Sequence, residues 1–262
     1  IFKACFQKLL QRAGVRVVFN SPLLSVKKNG TKVQSATFFG IGPIAAKVFI
    51  DCGYEGDLMV QAGCSCTVGR ESSATYSEAN AGVQGIAAIT NQFAAGVDPY
   101  VTPGVPSSGL LPFVTTNALA AAGSADGNVQ APCYRLILTN DAANKLSVNT
   151  PPANYSALNY ELLARHLAIS PVTTMAQVFS PTGVRGNKYD FNNKLPGGLD
   201  YVNVTDTLSY INGDWTTRYT VMEKVKSYTL GLLYWLGYSG DSRIPGALVT
   251  DARRYGLCKD EY

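Results

Sequence analysis

"VFIDCGYEGDL", residues 48–58, reads as the end of a buried strand running into an acidic turn that carries two glycines, Gly53 and Gly56. The wider run "IAAKVFIDC" (44–52) is almost continuously apolar, the pattern of a strand covered on both faces. "YEGDLMVQAG" (54–63) then has the composition of a short helix, with Glu55 and Asp57 near its electropositive start. A strand tip of this kind can be a ligand site, and it can equally be an ordinary strand, turn and helix start.

Working outward, "FKACFQKLLQRAG" (2–14) places Phe2, Cys5, Phe6, Leu9 and Leu10 on one helical face, with Gly14 as the stop. "VRVVFN" (15–20) follows as an expected strand, and 23–40 as a hairpin with Asn29-Gly30 at its tip. Residues 15–51 are thus expected to form a meander whose last strand is "KVFID".

Composition shifts near Gly82. From there to Gln130 the only charged residues are Asp98 and Asp126, and prolines at 99, 103, 106 and 112 exclude a long regular element. Apolar residues in "DPYVTPGVPSSGLLPF" (98–113) suggest a loop packed onto something. "CYRLILTN" (133–140) reads as a strand. "NYSALNYELLARHLA" (154–168) reads as an amphipathic helix with Tyr160, Leu163 and Leu167 on one face, and 216–239 as a longer helix loosened at Gly231.

The chain of 262 residues has a net charge of +4, but residues 1–50 carry eight basic residues and no acidic ones. These charges are scattered singly, without an arginine run or interleaved aromatics, so they describe a solvated face and not a nucleic-acid interface. "YTLGLLYWLGY" (228–238) is the apolar run most worth testing as a span and is too short to cross a bilayer, and no signal-peptide pattern opens the chain.

The six cysteines permit many pairings and form no zinc framework, since Cys64-Ser-Cys66 has no second pair and His166 is the only histidine. His166 has no nucleophile motif near it and is read as a helix-surface or partly packed residue. No Gly-x-Ser-x-Gly elbow, P-loop or Gly-x-Gly-x-x-Gly occurs, and no catalytic base stands out. Glu55 and Asp57 form a single acidic pair that helix capping explains as well as a metal does, so no metal site is expected. Sequons at Asn29, Asn154 and Asn203, with many Tyr and few Lys or Glu, lean towards a glycosylated, disulfide-bearing protein of the secretory pathway or exterior. Aromatic residues are distributed through helices and do not form the exposed row of a carbohydrate-binding module.

The stretch "AKVFIDCGYEGDLMVQAGCSCTVGRESSATYSEANAGVQ" (46–84) resembles the FAD-dependent oxidoreductase family, in particular members labelled xanthan-lyase-like. The resemblance continues through "DPYVTPGVPSSGLLPF", "YRLILTND", "YELLARHL", "YDFNNK" and "RRYGLCKDEY". It implies an α/β fold, in which residues 1–81 form a partial Rossmann-like FAD-binding domain with a β-meander. Residues 82–262 would form an inserted α+β substrate domain. FAD is the implied cofactor and a small molecule the implied substrate, with hydride passing from a substrate carbon to the flavin. The family label hints at carbohydrate.

By the same resemblance, Gly53, Tyr54, Glu55, Gly56 and Asp57 would form the turn that approaches the flavin, and Leu23 would meet the adenine ring through its backbone. Arg135 would line the substrate side, and Arg70 with Glu71 matches a family turn, an internal ion pair being the plainer reading. The family's Gly-rich diphosphate turn and its closing segment would precede Ile1 and follow Tyr262, supplied by further chain or by another chain. The alternative function is a non-catalytic extracellular structural or interaction protein built from this fold.

Overall fold

The computed structural model describes residues 2–84, 93–130, 132–193 and 207–262, which fall into two compact units, 1–67 and 68–262. The first unit opens with α1 (Phe2–Arg12), ended by Gly14 at φ +66°. A three-stranded antiparallel sheet follows, β1 (Leu23–Asn29), β2 (Lys32–Phe38) and β3 (Gly42–Ala45), in the order β1-β2-β3. α2 (Asp57–Gln61) closes the unit and packs on β1. Lys28 Nζ donates to the Ala62 carbonyl at the end of α2.

The β1–β2 hairpin forms as expected, with its loop one residue later. Asn29 pairs with Lys32, leaving Gly30 and Thr31 as the loop. Gly30 takes φ +57°, so one glycine provides the positive φ the turn needs.

Two expected strands are absent. Residues 15–20 and 46–51 have no regular structure, and among the described residues no strand pairs with either. Their apolar side chains are exposed, with Phe19 at 72%, Val48 at 72% and Ile50 at 77%. A strand is held by its ladder, and β3 stops at Ala45, so an apolar run without a neighbour stays open. The apolar face of α1 is likewise open at Phe6 (63%) and Leu9 (59%).

The second unit is α+β. β4 (Leu136–Thr139), β5 (Lys145–Leu146), β6 (Phe179–Val184), β7 (Lys188–Asn193) and β8 (Gly256–Cys258) form an antiparallel sheet of order β5-β8-β4-β7-β6. Its helices are α3 (Glu161–Ile169), α4 (Met175–Val178), α5 (Thr207–Asn212), α6 (Trp215–Tyr238) and α7 (Gly246–Ala252). Leu136, Leu138, Phe179 and Phe191 of the sheet meet Leu163, Leu167, Trp235, Leu236 and Leu248 of the helices in one core.

α6 runs unbroken through Gly231. A Cβ on Gly231 would sit 2.3 Å from the Tyr160 hydroxyl and 3.1 Å from Tyr155 Cδ2. The glycine therefore seats a tyrosine from the preceding segment and does not loosen the helix. Tyr160 Oη donates to the Tyr228 carbonyl at 2.7 Å through that gap.

The proline-rich segment is an ordered loop. Asp98 accepts from the Tyr100 and Gly104 N–H groups, both at 2.8 Å, and Arg165 of α3 donates to the carbonyls of Asp98, Tyr100 and Val101. Residues 70–83 pair with 123–126 across Arg70–Asp126, Ser73–Gly123 and Val83–Ser124. The disulfides expected with a secretory location are not formed. Cys5, Cys52, Cys64, Cys66 and Cys133 are exposed free thiols, and Cys258 is a buried one. Among the described residues no helix is long and apolar enough to cross a membrane.

Candidate functional site

The residues expected to approach a cofactor are held by one they did not include. Asp51 Oδ1 accepts the Gly53 N–H at 2.9 Å, and Oδ2 accepts the Met59 N–H at 3.1 Å. One carboxylate thus closes the turn and caps an otherwise unsatisfied N–H of α2. These bonds, Gly53's first and Met59's second, hold the Asp51 carboxyl below the ordinary carboxylate range. An acidic residue two before a glycine, at the mouth of a helix, is a turn signal that the sequence already carries.

Each glycine has its own reason. A Cβ on Gly53 would lie 3.2 Å from Asp51 Oδ1, so the close approach there serves the carboxylate. Gly56, the residue before α2, stands at φ +65°, ψ +35°, a conformation that favours glycine. Tyr54 between them is fully exposed, while Glu55 and Asp57 are half-buried. Leu23 is buried at the start of β1, the strand on which α2 packs.

Across 48–62 there are three carboxylates, from Asp51, Glu55 and Asp57, and no Lys, Arg or His. Carboxylates accept from hydroxyl groups and repel phosphate. α2 has five residues, so its end offers little dipole to offset them. The one Gly-x-Gly of the sequence, at Gly40 and Gly42, lies at the β2–β3 turn, followed by a strand and not by a helix N-terminus. The three carboxylates of residues 51–57 therefore do not suit the diphosphate of a flavin nucleotide.

Arg135 belongs to the second unit. Its Nε donates to Asp190 Oδ1 of β7 at 2.8 Å and its Nη2 to Asp190 Oδ2, a forked cross-strand pair. Its carbonyl accepts the Tyr262 hydroxyl at 2.7 Å. Arg70 is in an ion pair as expected of that turn, but with Asp126 and not with its neighbour Glu71. Asn29 and Asn154 are exposed, and Asn203 lies outside the described residues.

His166 is more enclosed than its sequence suggested. It is 7% exposed, and its Nδ1 accepts the Ala94 N–H at 2.9 Å. Burial pushes its pKa below the ordinary value, which keeps the ring neutral and able to accept. Among the described residues no group of three or more His, Cys, Asp or Glu could hold a metal ion.

The family model for FAD-dependent oxidoreductases matches residues 1–261. No curated protein and no solved structure matches the chain. On a match that spans almost every residue, the chain belongs to the FAD-dependent oxidoreductase family.

Proposed function

We propose that the chain works in flavin-dependent oxidation of a small organic substrate. The family match over 1–261 carries this reading. When bound, the flavin supplies hydride acceptance from a substrate carbon. Turn 51–57, shaped by Asp51 and Gly56, is the stretch that approaches the nucleotide. Leu23 offers backbone contact at the adenine end. The diphosphate is held outside the described residues. Within the family, the likeness of "VFIDCGYEGD" and "DPYVTPGVPSSGLLPF" supports the xanthan-lyase-like group, and with it a carbohydrate-related substrate.

The test is turnover with FAD in excess and a dye as acceptor, using neutral sugars, sugar acids and polyols as substrates. Dye reduction with any of these supports the reading. A protein inert towards all of them with FAD in excess favours a non-catalytic structural or interaction role. The sequons support a secretory location, checked by peptide mass analysis for glycan at the exposed Asn29 and Asn154 in native material. Both sites unmodified would count against it.

A further inference from the structure

Where α6 ends, loop 239–243 folds beside residues 155–157 and leaves a cavity of about 480 Å3, lined among others by Tyr155, Tyr234, Asp241, Ser242 and Arg243. That volume is in the range of small-molecule sites, about 300–1,000 Å3. The cavity is lined wholly by residues of the second unit and by none assigned above to the flavin.

Its aromatic wall is fixed before any ligand arrives. Tyr155 and Tyr234 meet edge to face, with centroids 5.0 Å apart and planes at 83°. Behind them Tyr155 stacks on Tyr160 at 5.9 Å, and Tyr160 stacks on Trp235 at 5.8 Å. Tyr160 is buried and anchored by its bond to the Tyr228 carbonyl, in the gap that Gly231 leaves.

Its charges are already matched. Arg243 donates to Glu161 Oε1 and Oε2 at 2.8 and 2.9 Å, and to Asp241 Oδ1 and Oδ2 at 3.0 and 2.8 Å. Glu161 also accepts from Arg165 Nε at 2.8 Å. No guanidinium is left to hold an anion, and the negative end of the 24-residue α6 disfavours one further. A cation finds no better host. The two carboxylates are engaged, Trp235 is 1% exposed, and two rings meeting edge to face do not enclose an ammonium group.

What the cavity has to offer is neutral. The hydroxyls of Tyr155, Tyr234 and Ser242 have no hydrogen-bond partner among the described residues, and each can donate and accept. Amphoteric hydroxyls beside an aromatic face match a ring with an apolar C–H face and hydroxyls at its edge. The geometry points to a binding site for a neutral saccharide of one or two pyranose units, held against one of the two perpendicular tyrosine rings and by hydroxyl-to-hydroxyl bonds. This site does not rest on the flavin reading, because it needs no cofactor to bind.

The experiment is saturation-transfer NMR with isothermal titration on the intact 262-residue protein. The probes are D-glucose and cellobiose, with glucose 6-phosphate and choline as charged counter-probes. Ring protons of a neutral sugar should receive saturation, with millimolar affinity and weaker binding of both charged probes. Tyr234→Ala should weaken sugar binding by about tenfold or more. Ser242→Trp fills the cavity from an exposed loop position and should do the same with an unchanged circular-dichroism melt. Absence of sugar binding in the wild type, sugar binding unchanged in Ser242→Trp, or tighter binding of either charged probe overturns the proposal.

Discussion

At the scale of single residues, Asp51 accepts from two backbone amides and His166 from one. Asp51→Ala removes acceptors from Gly53 and Met59 at once. Loss of a cap of this kind costs about 1 kcal/mol, so the amides of 53–59 should exchange faster by hydrogen exchange, with β1 and β2 unaffected. His166 contributes through its neutral form. Burial sets its folded pKa below the unfolded value of about 6.5, so the native state binds fewer protons than the unfolded chain. Its contribution is complete above about pH 6.5 and is lost as pH falls through the folded pKa. The melting temperature should therefore decline on acidification, and decline less in His166→Asn, which keeps an acceptor that does not titrate. Equal pH profiles for the two proteins would remove His166 as the cause. The Asp51 turn was signalled by the glycine two positions on, whereas the role of His166 was not legible in advance. A lone histidine beside Arg165 does not reveal that Ala94, 72 positions earlier, will donate to it.

At the scale of elements, the sequence spoke most clearly where structure is local. α1, the β1–β2 hairpin, α2, β4, α3 and α6 are all written in short-range pattern and turn chemistry. The hairpin β6–β7 is written there too, in Gly186 and Asn187 at φ +84° and +57°, although its strands are too polar to announce themselves. Segments 15–20 and 46–51 differ because apolarity reports a wish for burial and says nothing of which strand will pair. Their amides should exchange rapidly beside slow ones in β1 and β2; protection at 47–50 equal to that of β2 would contradict their open state. Gly231 shows the opposite error, since a glycine in a helix reads as weakness until the tyrosine it seats is seen. Gly231→Ala forces a methyl onto the Tyr160 hydroxyl and should destabilise the protein by about 1–3 kcal/mol, measured by chemical denaturation. Ala at a solvent-facing glycine of a helix would be stabilising, so the sign of the change decides between the two readings.

At the scale of the whole molecule, the second unit has a continuous core, whereas among the described residues the buried apolar ones of the first are few, Leu23, Ala36 and Ala62. Family membership was legible through the order of motifs along the chain, and the turn at 51–57 through its glycines and acids. What that turn can bind was less legible, because it depends on the charge around it and on the absence of a phosphate-binding glycine turn in the 262-residue sequence. Charge-assisted hydrogen bonds to phosphate are worth about 1.5–3 kcal/mol each, so a nucleotide held without them should dissociate readily. The most direct measurement is the visible spectrum of the 262-residue protein after incubation with FAD and gel filtration. The expected result is a protein peak without flavin absorbance. A flavin that co-elutes in stoichiometric amount would contradict it, by showing a diphosphate grip within these residues.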